Sequence, residues 1–471
     1  MIDPQFLRRL RAALDPCSII DAPADIEPYL TDCRHLYHGQ AALVLRPGSV
    51  AEVSTILALC NDAGIGVVPH GGNTGYCGGS VPDGSGNQLV VSLARLKTIR
   101  AVDPMNYSIT VEAGCVLAMV QQAAAAAERY FPLSLAAEGS CQIGGNLSTN
   151  AGGTAVLRYG MARELVLGLE VVLADGRVLE MLRSLRKDNT GYDLKSLFIG
   201  AEGTLGVITA ATLKLFPKVA GRATACLAIP SLEAAVHLLE LLRAASADRL
   251  TACEIMCRLA LELVVRHIPG AAELFDRSHP WYLLVELQSS SATEDLDGLL
   301  EGALATAMER GLVVDAVVAK SGAQRAGLWR LRETIPEALA AAGAQIKHDV
   351  SVPIAAMPAF AATAAEWIQA QIPTARIVPF GHIGDGNLHF NVSQPVALDA
   401  ADFLRRAPAI EHGIHDIAHR YGGSFSAEHG IGKYKLEELL RFRTATELDI
   451  MRALKRTLDP RGIMNPGKIL Q

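Results

Sequence analysis

The stretch FGHIGDGNLHF, residues 380–390, sets His382 and His389 seven residues apart across a glycine-punctuated turn. Asp385-Gly386 is a two-residue hairpin signal, because both central positions of such a turn favour φ > 0. A hairpin centred there pairs Gly384 with Asn387, Ile383 with Leu388 and His382 with His389. Directly opposed residues share a face, with Cβ atoms about 4.5–5.5 Å apart. Either histidine alone reads as a packing residue. Two imidazoles opposed on one face can grip a ligand.

Three glycine-rich segments carry a second chemistry. PHGGNTGYCGGS, residues 69–80, has five glycines in twelve positions. A glycine-dense turn after a strand lets backbone N–H groups approach an anion closely, and a pyrophosphate is the natural guest. GSCQIGGNLSTNAGGTAVLRYG, residues 139–160, adds glycine turns with Ser, Thr and Asn side chains, and FIGAEGTLGVIT, residues 198–209, is a third turn before a strand. A GxGxxG fingerprint is absent, so a Rossmann NAD site is unsupported. GIMNPGK at 462–468 lacks the Ser/Thr and the helix of a P-loop. Three such segments within one block point to a cofactor.

The elements that must position these residues follow from caps and periodicity. Ser49 with Glu52 is a capping box, and Gly64 closes the helix it opens. IGVVP is a buried strand emptying into the first glycine loop. QLVVSLARL and SITVEAG are further strands, VLAMVQQAAAAAERY is an alanine-rich helix, and GLEVVLADGRVLEM is a hairpin on Asp175-Gly176. TLGVITAATLKLFP is a strand ending at Pro217. Beyond it, ATACLAIP, SLEAAVHLLELLRAA and TACEIM, then WYLLVELQ, TEDLDGLLEGALATAMERG and LVVDAVVA, repeat a strand–helix–strand order. Two such halves predict a ferredoxin-like layer with helices on one face. A helix over 328–342, the strand HDVSVP, another helix and the histidine hairpin follow. The last 45 residues are again glycine-punctuated, with SAEHGIGKYK and DPRGIMNPGK.

The whole chain bounds these readings. Its 471 residues exceed one core, so two or three domains are expected. A net charge of −6 and 5% aromatic residues argue against a nucleic-acid binder. Nine cysteines without a CxxC pair fit a reducing compartment and provide no iron–sulfur ligand run. No apolar run approaches the roughly 20 residues of a membrane span. MIDPQFLRRLRAALDP reads as a short first helix without the apolar core of a signal peptide, so the expected location is cytoplasmic.

GGNTGYCGGSVP, GSCQIGGNLSTNAGG, LRKDNTGYDLK and FIGAEGTLGVIT resemble the FAD-binding domain of the vanillyl-alcohol oxidase/PCMH-type flavoproteins. FGHIGDGNLHF and SAEHGIGKYK resemble the signatures of their metal-dependent D-2-hydroxyacid dehydrogenase branch, the nearest likeness being to the D-2-hydroxyglutarate dehydrogenases. The resemblance runs from about residue 35 to the C-terminus. It implies an α+β, two-part protein: an FAD domain over 1–217, a ferredoxin-like substrate cap over 218–425, and a segment over 426–471 returning to the FAD domain.

The resemblance also assigns residues. FAD would be lined by Pro69, Gly71, Gly72, Asn73, Thr74, Gly75, Gly78, Gly79 and Ser80; by Gly139, Ser140, Gly144, Gly145, Asn146, Thr149, Asn150, Gly152 and Gly153; and by Glu202, Gly203, Gly206, Ile208 and Asn465. His382, His389 and Glu428 would hold a metal. Two imidazoles and a carboxylate suit Zn²⁺ with an open fourth position, and Mn²⁺, Co²⁺ or Fe²⁺ as well. Arg332 would clamp a substrate carboxylate, which a guanidinium does bidentately. Lys347 would be a second carboxylate partner. Asn391, two residues past His389 on the same strand face, would touch substrate, and His429 would bind it and act as general base. Pro336 stands where a threonine is expected, which removes a hydroxyl from the substrate's far end. His70 precedes the Gly71-Gly72 pair instead of following it, so FAD is expected to be noncovalent.

The implied reaction oxidises a D-2-hydroxyacid to the 2-oxoacid, with D-2-hydroxyglutarate giving 2-oxoglutarate, by proton abstraction and hydride transfer to flavin N5. D-lactate, D-malate and glycolate are alternatives within the same family. Electrons would leave for an external acceptor such as an electron-transfer flavoprotein or a quinone, and a homodimer is compatible. A metallohydrolase is the rival reading; it leaves the glycine segments without a role. A flavin-binding subunit without activity is a third, opposed by the intact set of candidate site residues.

Overall fold

The computed structural model describes residues 2–470. The chain divides into two compact units. The first comprises residues 1–153, 160–218 and 428–471, and the second 154–159 and 219–427. The six residues 154–159, expected within the FAD domain, thus count with the second unit.

In the first unit, the helix Val50–Ala63 starts where Ser49 Oγ accepts the Glu52 N–H at 3.2 Å, and it stops at Gly64, whose φ is +65°. The expected capping box is only half made. The Glu52 carboxylate accepts from the Gly48 N–H at 2.6 Å and from Ser18 Oγ, pinning the preceding segment instead of the Ser49 amide. The strand Gly66–His70 pairs in parallel with Gln88–Ser92, which pairs in parallel with Val44–Leu45, and Ile19–Ile20 adds an antiparallel edge. A second sheet is antiparallel throughout, in the order Ile99–Asp103, Ser108–Glu112, Val207–Lys214, Val166–Val172, Val178–Met181. The hairpin on Asp175-Gly176 joins its last two strands, with Gly176 at φ +86°.

The C-terminal segment completes this unit. Val67 N–H donates to the Ile463 carbonyl at 2.8 Å, and Asn465 N–H returns a bond to the Val67 carbonyl at 2.8 Å. The buried Lys468 ammonium donates to the Val81 carbonyl at 2.8 Å.

The second unit is built on one antiparallel sheet. Its strands are β1 (Gly221–Ile229), β2 (Leu250–Cys257), β3 (Trp281–Ser289), β4 (Asp315–Val318), β5 (Gln345–Ile346), β6 (Val350–Ser351), β7 (Arg376–His382) and β8 (Asn387–Ser393). The order β4-β1-β3-β2 is the ferredoxin-like arrangement, and β7, β8 and β5 extend it beyond β2, with β6 also paired to β8. Helices α1 (Leu232–Ser246) and α3 (Leu296–Glu309) pack on one face around Leu238, Leu242, Leu300 and Val285. The expectation of helices on one face only is corrected. Helices α2 (Arg258–His267), α4 (Gly322–Glu333) and α5 (Ile335–Ala341) cover the other face around Leu261, Val264, Leu331, Leu339, Tyr282 and Phe380. Strands such as β2 are buried along their full length, so a one-sided cover would leave half their apolar side chains in water.

The single helix expected over 328–342 is two helices broken at Thr334. Pro336 sits in the first turn of α5, where its missing N–H costs nothing and its fixed φ suits a helix start. No helix among the described residues is long and apolar enough to cross a membrane. None of the nine cysteines is joined in a disulfide among the described residues.

Candidate active site

The first unit contains a cleft walled by the three glycine-rich segments. Of the residues expected to line FAD, Pro69, Gly71, Gly72, Asn73, Thr74, Gly75, Gly79, Ser80, Gly144, Gly145, Asn146, Thr149, Glu202, Gly203, Gly206 and Ile208 do line it. His70, Cys77, Leu93, Ala113, Gln142, Ser148 and Val207 join them without having been singled out as lining residues.

Two kinds of glycine occur here. At Gly72 a Cβ would lie 2.3 Å from the Ser140 carbonyl oxygen, so that glycine is required by the protein's own packing. At Gly75 and Gly145 a Cβ would meet nothing within 4 Å, and neither needs a positive φ. These two leave open space in the cleft wall that neither backbone nor packing explains. Close approach of a bound group does explain it. Gln142 Oε1, in the same wall, is buried without a hydrogen-bond partner among the described residues. The residues present therefore fit a large polar cofactor.

Other expected FAD residues serve the frame. Gly78, Gly139, Ser140, Asn150, Gly152, Gly153 and Asn465 are not among the cleft-lining residues. Gly78 has φ +66° and packs on Tyr37. Asn150 Oδ1 accepts the Arg163 N–H at 2.9 Å. Asn465 Nδ2 donates to the carbonyls of Gly79 and Glu202, at 2.9 and 2.7 Å. The Glu202 carboxylate accepts the N–H groups of Ile431 and Gly432 at 2.7 and 2.8 Å, so it ties the cleft to the C-terminal segment. Burial pushes its pKa up to about 7, against the opposing pull of those two amides. His70 is buried, its Nδ1 is 3.0 Å from the Ser80 carbonyl, and burial lowers its pKa, which keeps the ring neutral.

His429 also lines this cleft. Its ring is held edge-on by Tyr76, with centroids 4.8 Å apart. Glu428, the residue before it, accepts the Gly153 N–H at 3.2 Å.

The second unit holds the histidine hairpin, and its register differs from the sequence expectation. His382 is opposed to Asn387, and His389 to Phe380. The turn spans four residues, with Gly386 at φ +83° but Asp385 outside the left-handed region. The Asp385 carboxylate accepts the Asn387 N–H at 3.1 Å, and that side-chain turn replaces the two-residue loop. Because the shift is two residues, parity is kept. His382 and His389 are diagonal neighbours on one face, with ring centroids 5.6 Å apart.

That face carries a residue that sequence reasoning missed. Glu254, on β2, is directly opposed to His382. Its Oε1 lies 2.7 Å from His382 Nδ1, and its Oε2 lies 2.8 Å from Arg332 Nη2. Glu254, Arg332 and His382 are 1%, 6% and 8% exposed, so this is a buried three-member charge cluster. Burial alone would raise the Glu254 pKa, but the His382 and Arg332 charges hold it below the usual carboxylate range. The signal available was a lone carboxylate in the middle of the apolar run LTACEIMC. The Arg332 guanidinium stacks over Phe380 at 5.0 Å, and its Nε is buried with no hydrogen-bond partner among the described residues.

His389 Nδ1 lies 3.8 Å from the buried Asp349 carboxylate, which also accepts from Asn387 Nδ2 at 2.9 Å. Asn391 shares this face, and its Oδ1 accepts the His348 N–H at 3.2 Å, which fixes the backbone beside the half-buried Lys347. Further along, Ala427 N–H donates to the Asp349 carbonyl at 3.1 Å, immediately before the chain continues to Glu428.

Two family models match the chain. A family model described as an FAD binding domain matches residues 41–182, and one described as the C-terminal domain of FAD linked oxidases matches 219–469. The chain belongs to the FAD-linked oxidase family. A D-2-hydroxyglutarate dehydrogenase of Xanthomonas citri pv. viticola is 40% identical over all of this chain and 98% of its own length. The mitochondrial enzyme of that name from Arabidopsis thaliana is 36% identical over all of this chain and 82% of its own, and that of Danio rerio is 38% identical over 97% and 84%. Among solved structures, p-cresol methylhydroxylase has a TM-score of 0.75 at 16% identity, covering 99% of this chain and 96% of that one. An alkyldihydroxyacetonephosphate synthase has 0.76 at 18%, covering 99% and 85%. Both similarities establish the fold, which is α+β and of the PCMH type.

Proposed function

We propose that this family member oxidises a D-2-hydroxyacid to the 2-oxoacid on noncovalent FAD, with D-2-hydroxyglutarate as the substrate. The observation that carries the reading is His429, an imidazole in the wall of the same cleft that the glycine segments keep open. There it can take the hydroxyl proton as C2 loses its hydride. FAD, when bound, supplies the hydride acceptor, and a divalent cation supplies a Lewis acid for the hydroxyl oxygen. His382, His389 and Glu428 would hold that cation, Zn²⁺ being the metal best suited to two imidazoles and a carboxylate with an open position. The diagonal pairing of the two histidines on one face supports their part in this set.

Substrate recognition would rest on cations. Arg332 is buried with a donor unused, which favours an anionic guest, and Lys347 adds a second positive charge for a second carboxylate. Asn391 would act by fixing the backbone next to Lys347. D-lactate is the competing substrate, because Pro336 offers no hydroxyl at the site's far end. The buried His70, with Nδ1 turned to Ser80, supports a noncovalent flavin.

Anaerobic mixing with a panel of D- and L-2-hydroxyacids, with and without chelator, tests the reading. D-2-hydroxyglutarate should bleach the flavin, the L-isomer should not, and chelation should abolish the bleaching. A colourless protein, or a yellow one that no 2-hydroxyacid bleaches, overturns it.

A further inference from the structure

We propose that Glu254 is a positioning residue shared by the metal site and the substrate clamp: one carboxylate oxygen fixes His382 so that Nε2 faces the cation, and the other fixes the Arg332 guanidinium. This rests on the function proposed above and adds a residue to it.

The backbone makes the arrangement specific. β2 and β7 are antiparallel neighbours, and Glu254 and His382 are directly opposed in their register. Opposed side chains point to the same face at short range, so the contact is set by the ladder and not by a long side chain searching for a partner. Arg332 comes from the last turn of α4, which packs on that same face. Phe380, two residues before His382 and on the same face, is stacked by Arg332 at 5.0 Å and touched by His389 with centroids 5.0 Å apart. The guanidinium is thus held between a ring and a carboxylate.

The chemistry explains why a carboxylate is needed. A metal-bound imidazole keeps one nitrogen for the cation and donates from the other, and the acceptor of that bond fixes tautomer and ring plane. His382 Nδ1 is 2.7 Å from Glu254 Oε1, which leaves Nε2 as the ligand atom. A carboxylate has two acceptor oxygens, so it can serve His382 and Arg332 together. A glutamine has one acceptor oxygen and a donor, and can serve only one of them. Glu254 thus acts through His382 and Arg332 and not on the reacting atoms.

The test uses the full-length, FAD-loaded protein, stripped of metal and titrated with Zn²⁺ against a chromophoric chelator of known affinity. Glu254→Gln should keep stoichiometric flavin, bind Zn²⁺ about 10–100-fold more weakly, the usual cost of losing such a partner, and at saturating Zn²⁺ show a raised KM for D-2-hydroxyglutarate. Unchanged zinc affinity in Glu254→Gln, beside a clear loss in His382→Ala, overturns this inference and leaves the functional reading standing. Wild-type protein that binds no Zn²⁺ in excess of His382→Ala overturns the functional reading itself. If Glu254→Gln does not fold, ¹⁵N-imidazole spectra of the zinc-loaded wild type decide the matter. The His382 signals, assigned by their absence in His382→Gln, should show a protonated Nδ1 and a metal-bound Nε2, and the reverse overturns the proposal.

Discussion

At the scale of single residues, the glycines of the cleft separate into those the protein needs and those a guest needs. Gly145 lies in a short helix, and a Cβ there would meet nothing. Gly145→Ala should therefore leave the flavin-free protein as stable as before, or more stable by up to about 1 kcal/mol through helix propensity. Its affinity for FAD should fall, because the methyl group would occupy cleft space. Gly72→Ala should instead destabilise the flavin-free protein, since its Cβ would overlap the Ser140 carbonyl. Thermal melting of both apoproteins beside FAD titration checks the pair, and equal loss of stability in both would remove the argument for a bound group. His429→Ala should retain FAD and fold, yet lose kcat by roughly 10²–10⁴-fold, the range for a general base. Its pH–rate profile should lose the limb belonging to an imidazole.

At the scale of elements, the hairpin shows what could be read beforehand and what could not. The face shared by His382 and His389 was legible, because strand alternation depends only on parity. The register was not, because the Asp385 carboxylate competes for the Asn387 amide and converts the expected tight turn into a longer one. Similarly, Arg332 was legible as a candidate from its motif, whereas Glu254 was hidden. Its role depends on which strand lies beside β7, and β2 is 120-odd residues upstream. Helix breaks were legible only in part: in the sequence Pro336 reads as a missing hydroxyl, while its effect on the chain is to start a new helix. Gly386 is the element's weak point. Its φ is +83°, and a Cβ would sit 2.3 Å from the Val352 carbonyl oxygen. Gly386→Ala should cost at least the roughly 1–2 kcal/mol of a left-handed L-residue, and, on the proposed metal site, should weaken Zn²⁺ binding along with lowering the melting temperature. A variant with the stability and the Zn²⁺ affinity of the parent protein would show that the turn does not set the histidine pair.

At the scale of the whole molecule, Glu202 and the C-terminal segment decide whether the first unit closes. The Glu202 pKa is raised to about 7 by burial, against about 4.5 when exposed. A carboxyl raised in the folded state binds a proton that the unfolded chain has released. Its contribution is therefore full below about 4.5 and is lost as pH rises through about 7. Glu202→Gln should flatten the pH dependence of the melting temperature across that window, and an unchanged slope would assign the dependence elsewhere. Removal of residues 460–471 should abolish flavin retention, because Val67, beside the first glycine loop, exchanges backbone hydrogen bonds with Ile463 and Asn465. This threading has a consequence for how the protein is made. The strand that leads into the glycine loop is translated some four hundred residues ahead of its partner. At about 5–20 residues per second, the nascent first unit waits on the order of ten seconds or more with an open flank while the second unit is synthesised and can fold. Flavin capture should accordingly follow synthesis of Ile463 and Asn465, because the strand beside the first glycine loop lacks its partner until then.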